Sequence, residues 1–310
     1  MTKSEQSILS TLPCSLSPVT CNLSPALMSL RSVWRKFANV VMLSLTGVCA
    51  LFTVSVLFVI LGYLVYYGGK SLNWAFFTQL PAPVGEPGGG MANAIVGSGK
   101  LLLLASIIGI PIGLLGGIYL AEFGGRTFSF LVRYTTDLLN GVPSIVIGIF
   151  AYTIIVIPMN HFSTFAGGMA LGVMMIPIAV RTTEESLRAV PLMLREGALA
   201  LGTSKWKTVA TVVVPAAMRG IVTGIMLTLA RVAGETAPLL FTALGNRFWS
   251  PGWNQPIASL PVMIYEYALS AYDDWHRQAW AAGLVLLGFV LLANIGARLV
   301  VSRGISFRRA

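Results

Sequence analysis

Long apolar runs separated by short polar segments dominate the chain from residue 37 onward. Stretches without Asp, Glu, Lys or Arg cover 37–69, 101–121, 138–180 and 278–297. A helix needs about 20 apolar residues to cross a bilayer core about 30 Å thick. Each of these stretches therefore predicts at least one membrane-spanning helix.

The stretch 138–180 is too long for a single span. Its 43 residues would form a helix about 65 Å long, about twice the thickness of the bilayer core. Pro158, Asn160 and His161 favour a turn within it, because proline and asparagine interrupt helices. Together with the apolar stretch 220–244, the pattern predicts six spans and an all-α polytopic membrane protein.

Basic residues are concentrated in alternate connections between these spans. The two terminal tails and segments 122–137 and 181–219 hold 16 Lys and Arg, whereas segments 68–100, 158–165 and 245–277 hold 4. Because Lys and Arg favour cytoplasmic loops, both termini are predicted to be cytoplasmic. This topology explains the net charge of +10, so no nucleic-acid partner is expected.

The composition separates the chain into three parts. Charged residues make up 10% of the sequence, against about 25% in an average soluble domain. Residues 1–36 are polar and lack a cleavable apolar core, which predicts a disordered cytoplasmic tail rather than a signal peptide. We expect a six-helix permease domain over 37–303 and a cytoplasmic tail over 304–310.

Residue patterns for catalysis, metal binding or a cofactor are not found in the sequence. The segment Gly97–Leu101 resembles the end of a phosphate-binding loop, but Ala94 and Leu101 replace the Gly and the Ser or Thr that this motif needs. We interpret it as a small-residue turn leading into the second span. The chain is not expected to be an enzyme, and any ATP must be bound by another chain.

The longest connecting loop, residues 181–219, contains a short amphipathic helix. Pro191 favours a helix start, and Gly202 favours a left-handed helix end. Leu194, Ala198 and Leu201 form an apolar stripe between them. Such a helix is suited to the bilayer surface or to a groove in a partner protein.

The spacing in this loop resembles the EAA loop of permeases from ABC importers. The matching positions are Glu196, Gly197, Ala198, Gly202, Val212, Val214 and Pro215. The departures are Gly197 in place of the usual Ala, and Val in place of Ile and Leu. The resemblance implies that the loop is the coupling helix inserted into an ATPase subunit, with Glu196, Gly197, Ala198, Gly202 and Pro215 as ATPase-coupling positions.

Two further segments, Asn140–Gly148 and Arg231–Phe241, are similar to the PstA permeases of phosphate-specific ABC importers, and the resemblance runs from about residue 35 to the C-terminus. It implies a type I ABC importer permease fold and ATP-driven import of inorganic phosphate across the bacterial inner membrane. It also implies four kinds of partner: a homologous second permease (PstC-type), two ATPase subunits (PstB-type), a periplasmic phosphate-binding protein (PstS-type) and the lipid bilayer. In the external segment 248–277, the run from Leu260 to Tyr272 and nearby Trp residues predict an interfacial helix, and the resemblance makes this segment a docking surface for the binding protein.

Charged residues inside the fifth apolar stretch are candidates for the substrate path. Arg231 is expected near the membrane midplane, where a charge must face the protein interior or water, and Glu235 follows at i+4 on the same helical face. Guanidinium groups bind phosphate oxygens well, so we assign both residues to the path, with Arg181 as a weaker candidate at the exit. The alternative is a structural salt bridge between Arg231 and Glu235.

Other transporter classes stay open from the sequence. An ABC permease for another oxyanion would share every feature above. A secondary anion transporter would carry internal repeats of its spans, and we find no convincing repeat.

Overall fold

The computed structural model describes residues 25–83, 86 and 88–306. The parts of the predicted tails at residues 1–24 and 307–310 lie outside the described residues. Within the described ranges the secondary structure is helical, with two isolated β-bridges, Pro81 to Gly89 and Leu244 to Ile257.

Thirteen α-helices occur in the described part of the chain. The first seven are α1 (Pro25–Ser71), α2 (Trp74–Thr78), α3 (Ala92–Ile118), α4 (Arg126–Gly141), α5 (Ser144–Ala151), α6 (Ile157–Met159) and α7 (Thr164–Arg188). The others are α8 (Leu192–Ala200), α9 (Lys205–Thr208), α10 (Val214–Ala233), α11 (Ala237–Thr242), α12 (Leu260–Ala268) and α13 (Asp273–Ser306). Three π-helical segments directly follow α3, α5 and α9, at Tyr119–Phe123, Tyr152–Val156 and Val209–Val213.

Five helical stretches are long and apolar enough to cross a membrane. They are Trp34–Ser71, Ala92–Phe123, Thr164–Arg188, Lys205–Ala233 and Asp273–Leu299. A sixth span is formed if Thr127–Gly141 and Ser144–Met159 are counted together, although the chain bends by 100° between them. The predicted number of six spans is reached only with this broken helix.

The bend follows from Pro143. The residue before a proline avoids helical backbone angles, and Val142 has φ −69° and ψ 130°. Directly after α6, Asn160 takes a left-handed conformation with φ 58°. The predicted turn at Pro158, Asn160 and His161 is therefore confirmed.

Three predicted boundaries are wrong. Helix α1 begins at Pro25, so residues 25–36 are helical where a disordered tail was expected. Helix α7 continues to Arg188, which shortens the predicted loop 181–219. The fifth span covers Lys205–Ala233 instead of 220–244, because the helix continues through Arg219, which bounded the predicted stretch, and ends before Gly234.

The chain divides into two units, residues 1–60 and 61–310. The described part of the first unit is a portion of α1 with mostly exposed side chains. The second unit contains α2–α13 and all the sites considered below.

Helices α3 and α7 form the central pair of the second unit, in contact through a stripe of small residues. The stripe on α3 consists of Gly109, Gly113 and Gly117, and it faces Met175, Ala179 and Thr183 of α7. A Cβ atom on Gly109 would lie 2.7 Å from the Cβ atom of Met175. Glycine thus permits close packing of the two backbones.

Residues 244–259, here called the strap, cover one end of this helix pair. Leu260, which follows the strap, donates its backbone N–H to Ser98 Oγ of α3 (2.8 Å), and Lys100 Nζ of α3 donates to the carbonyl of Ser250 (2.9 Å). The Gly97–Leu101 segment is therefore part of α3 beneath the strap, not a turn before the span. We call this end of the bundle the strap end and the opposite end, which carries α8, the α8 end.

The strap is also tied to α7, and α12 packs behind it. Thr164 donates its backbone N–H to the carbonyl of Gln255 (2.9 Å). In α12, Leu260, Met263 and Tyr267 are buried. The predicted interfacial helix in segment 248–277 is thus shorter than expected and buries one face against the bundle.

Candidate functional site

Helix α8 projects from the bundle as the sequence predicted. It begins after Pro191 and ends before Gly202, whose φ of +80° is a left-handed conformation that favours glycine. No residue of α8 is buried. Met193 is 82% exposed, and Leu201, just beyond the helix, is 86% exposed. The apolar side chains of this loop therefore form an open surface.

The positions that match the EAA loop fall into two places. Glu196, Gly197 and Gly202 are exposed, and Ala198 is half-buried. A Cβ atom on Gly197 or Gly202 would meet nothing within 4 Å. Pro215 lies instead in the first turn of α10, inside the span Lys205–Ala233, so it is not part of the exposed surface.

Arg195 connects α8 to the bundle. Its Nη2 atom donates to the backbone carbonyl of Leu187 at 2.6 Å and lies 3.0 Å from Oε1 of Glu122. The Arg195 and Glu122 side chains are only 18% and 7% exposed. Leu187 belongs to α7, and Glu122 lies in the π-helical segment that follows α3. One guanidinium thus contacts both helices of the central pair.

A second ionic cluster surrounds Glu184 near the α8 end of α7. The carboxylate is 2% exposed and lies 2.6 Å from Arg133 Nε of α4, 2.9 Å from Arg188 and 3.8 Å from Arg181. Arg181 also pairs with Glu185 at 3.0 Å. The pairing of these charges explains why α7 continues through a sequence segment that appeared too polar for a span. It also occupies the guanidinium of Arg181.

Arg231 and Glu235 are not arranged as predicted. Helix α10 ends at Ala233, so Glu235 lies beyond it and does not share a helical face with Arg231. Arg231 is in the last turn of α10 rather than at the centre of the span, and it is exposed. The side chain of Arg231 has no hydrogen bond or ion pair in the described part of the chain, so the alternative of a structural salt bridge between the two residues is wrong.

The break after Arg231 lies near the other broken helix. A Cβ atom on Gly148 of α5 would lie 2.7 Å from Cα of Pro238 in α11. The segment after the bend at Pro143 therefore packs directly on the segment after the break at Gly234. Broken helices in transporters are tolerated where the irregular backbone is buried in protein or lines a cavity.

A cavity of about 240 Å³ lies beside α10, between α3 and α13. Ala230 and Ala233 line it, and its polar side chains are Ser106 and Asn294. Arg231 does not line this cavity, and no other cation does. An oxyanion would therefore have no charge partner there, and we do not assign the substrate path to it.

The family of binding-protein-dependent transport system inner membrane components matches residues 109–305. The chain belongs to this family. The permease is 46% identical over 274 residues to the phosphate transport system permease protein PstA of Yersinia pestis, covering 88% of this chain and 93% of that one. It is 45% identical to PstA of Haemophilus influenzae, covering 87% and 96%.

Solved structures agree on the fold of the permease. The MetNI methionine ABC transporter in an inward-facing conformation matches with a TM-score of 0.56 at 20% identity, covering 69% of this chain and 97% of that chain. An ABC transporter that imports the acidic polysaccharide alginate matches with a TM-score of 0.54 at 13% identity, covering 68% and 78%. The predicted all-α, type I ABC importer permease fold is confirmed, and the chain is a membrane-spanning subunit.

Proposed function

We propose that the chain is the permease subunit of an ATP-driven importer of inorganic phosphate. The observation that carries this proposal is the identity of 46% and 45% with two PstA phosphate permeases over nearly their whole length. The chain itself provides the path, and ATP hydrolysis belongs to partner subunits. An ABC permease for another oxyanion is the second candidate, since sulfate and phosphate would both be attracted by an unpaired guanidinium.

The same proposal includes the setting and the partners. We place the chain in the bacterial inner membrane with the α8 end and both termini in the cytoplasm, because Lys and Arg are concentrated in the tails and in the loops at that end. The partners would be a homologous second permease, two ATPase subunits and a periplasmic phosphate-binding protein. The strap end would meet the binding protein, with exposed Phe248, Trp249 and Trp253 on the strap.

Arg231 is the residue we assign to the phosphate path. Arg231 lies in the last turn of α10 beside the helix break, and its exposed guanidinium has no hydrogen bond or ion pair in the described part of the chain, so it is available to bind an oxyanion. Glu235 stays in the proposal as a second path residue beside the helix break. Arg181 is a weaker candidate than Arg231, because Glu184 and Glu185 already pair with it.

Uptake of radiolabelled phosphate by cells that lack this chain tests the substrate. Restoring the chain is expected to restore uptake, with competition by unlabelled phosphate or arsenate but not by sulfate. Sulfate competition of equal strength would favour the second candidate. Uptake that is indifferent to the chain would refute the phosphate assignment.

The exposed surface of α8 is expected to bind the ATPase subunit. Replacing Met193 and Leu201 together by Asp should abolish co-purification of the ATPase subunits, because two charges would have to be buried in an apolar contact. Leu269→Asp is the matched control, since Leu269 is 70% exposed after α12. Equal ATPase recovery with both variants would contradict the proposed docking surface.

A further inference from the structure

Helix α8 has few means of attachment to the bundle apart from Arg195. None of its residues is buried, so an apolar core does not hold it. At its C-terminal end, Thr203 Oγ1 donates to the carbonyl of Ala198 at 2.7 Å and lies 2.7 Å from Thr208 Oγ1. These contacts join α8 to α9 and the fifth span. The short connection 189–191 joins α8 to α7, with Val190 buried beside Leu187, and Arg195 is the α8 side chain that contacts both α7 and the segment after α3.

The Arg195–Glu122 pair is not an efficient way to stabilise the fold. Both side chains are largely removed from water. Arg195 Nε and Glu122 Oε1 are both buried without a hydrogen bond in the described structure, so the 3.0 Å contact is an ion pair without hydrogen-bond geometry. Replacing a buried ion pair by apolar residues of similar volume is often neutral or stabilising, because the desolvation cost disappears. A pair that contributes little net stability can still fix the relative positions of the parts it joins.

The π-helical segment after α3 bears one half of the pair. A π turn inserts a residue into a helix and rotates the side chains that follow, and such turns often occur at functional sites. Here the segment Tyr119–Phe123 carries Glu122. A second π segment, Val209–Val213, follows α9 on the other side of α8. One π-helical segment therefore carries the contact of Arg195, and another follows α9 after the loop.

Close packing connects the helices next to the Arg195–Glu122 pair. Leu187 is fully buried in an apolar cluster with Val213 and Ile221, and Leu114 and Ile118 of α3 pack against this cluster. The glycine stripe holds α3 and α7 in close contact along their length. A force applied at Arg195 therefore acts on two helices that are already packed as one body.

We propose that Arg195 is a positioning residue for energy coupling. Through Glu122 and the Leu187 carbonyl, it fixes the coupling helix to the α3–α7 pair, so that movement of α8 by the ATPase moves both helices. Without this link, the ATPase subunits would still bind α8 and hydrolyse ATP, but less of the motion would reach the substrate path. The inference rests on the proposed role of α8 as the ATPase contact.

The main test uses the complete transporter complex in proteoliposomes. The central variant is the double replacement Glu122→Leu with Arg195→Met, which removes both charges and leaves neither one buried and unpaired. Arg195→Gln tests the single loss, and Arg277→Gln is the control, because Arg277 forms an exposed pair with Asp274 elsewhere in the chain. Phosphate imported per ATP hydrolysed is measured beside the melting temperature of each complex.

A positioning role predicts that the double variant assembles, melts near the wild-type temperature and hydrolyses ATP at a similar rate. Its phosphate imported per ATP is expected to fall about five- to tenfold, within the usual range of coupling between sites. The Arg277→Gln control should keep the wild-type ratio. A double variant with the wild-type ratio would overturn the proposal, and so would one that fails to assemble, since the pair would then serve only the fold.

A second measurement does not depend on the substrate. Hydrogen–deuterium exchange of segments 192–200 and 114–123 is compared with and without a non-hydrolysable ATP analogue. In the wild-type complex the analogue should change exchange in both segments, and in the double variant only in 192–200. A nucleotide effect that still reaches 114–123 in the double variant would refute the link. If wild-type complexes fail to import phosphate but this difference is present, the substrate assignment fails and the positioning role stands.

Discussion

Phosphate uptake is expected to fall about ten- to hundredfold when Arg231 is replaced by Gln, which corresponds to the loss of one or two hydrogen bonds to a charged group. Gln keeps hydrogen-bonding capacity but removes the charge that would attract an oxyanion into the span. Uptake at limiting phosphate, at equal membrane levels of the permease, measures the effect. Arg219→Gln is the matched control, because Arg219 is exposed on the same helix, α10, nearer its start.

Wild-type uptake by the Arg231→Gln variant would refute the assignment of Arg231 to the phosphate path. Glu235→Gln should reduce uptake less than Arg231→Gln. Glu235 lies beyond the end of α10 and makes no ion pair with Arg231 in the described structure, so its loss would not disorient the guanidinium.

Replacing Gly117 by Val is expected to prevent stable folding of the permease. A Cβ atom at this position would lie 2.5 Å from the Cβ atom of Thr183 and 2.7 Å from the carbonyl oxygen of Val180. The backbone of α7 cannot move aside without separating the central pair, and overpacking of this kind costs about 1–3 kcal/mol or more. The permease level in membranes and its melting temperature in detergent should both fall.

Gly99→Ala separates this steric effect from a general effect of losing glycine in α3. A Cβ atom on Gly99 would meet nothing within 4 Å, and Ala favours a helix by about 1 kcal/mol over Gly. This variant should accumulate at least as well as wild type. Equal losses for Gly99→Ala and Gly117→Val would contradict the packing argument.

The sequence predicted the features that depend on local physical chemistry. Proline and glycine defined α8, since Pro191 and Gly202 limit it in the structure. Gly109, Gly113 and Gly117 of α3 likewise recur every four residues, a spacing typical of close helix packing. These features depend on backbone freedom or steric size, which each residue carries irrespective of its distant neighbours.

The wrong predictions share one cause, which is that charges were used to define the ends of spans. Glu184 lies within α7 because three arginines surround it, and one of them, Arg133, comes from α4. Such long-range pairing cannot be inferred from a hydropathy window. The same assumption moved the fifth span toward its C-terminus, which placed Arg231 at midplane and paired it with Glu235.

Glu122 and Arg195 were missed for a related reason. Each appeared as a charge flanking a span or a loop, and nothing in the sequence indicated that two residues 73 positions apart by number form a buried pair. The sequence does carry one signal for Arg195. It directly precedes the EAA-like segment and is the single basic residue of α8.

The strap sets the order in which the chain can finish folding. Its hydrogen bonds join partners far apart in sequence, with 153 positions between Asn93 and Asn246 and 150 between Lys100 and Ser250. Helix α3 is synthesised long before its partners exist, so Asn93 and Lys100 must remain unsatisfied or hydrated until the fifth span has been inserted. Closure of the strap over α3 and α7 is therefore a late event in biogenesis, and a ribosome-bound chain truncated before residue 244 would expose the site that the strap later covers.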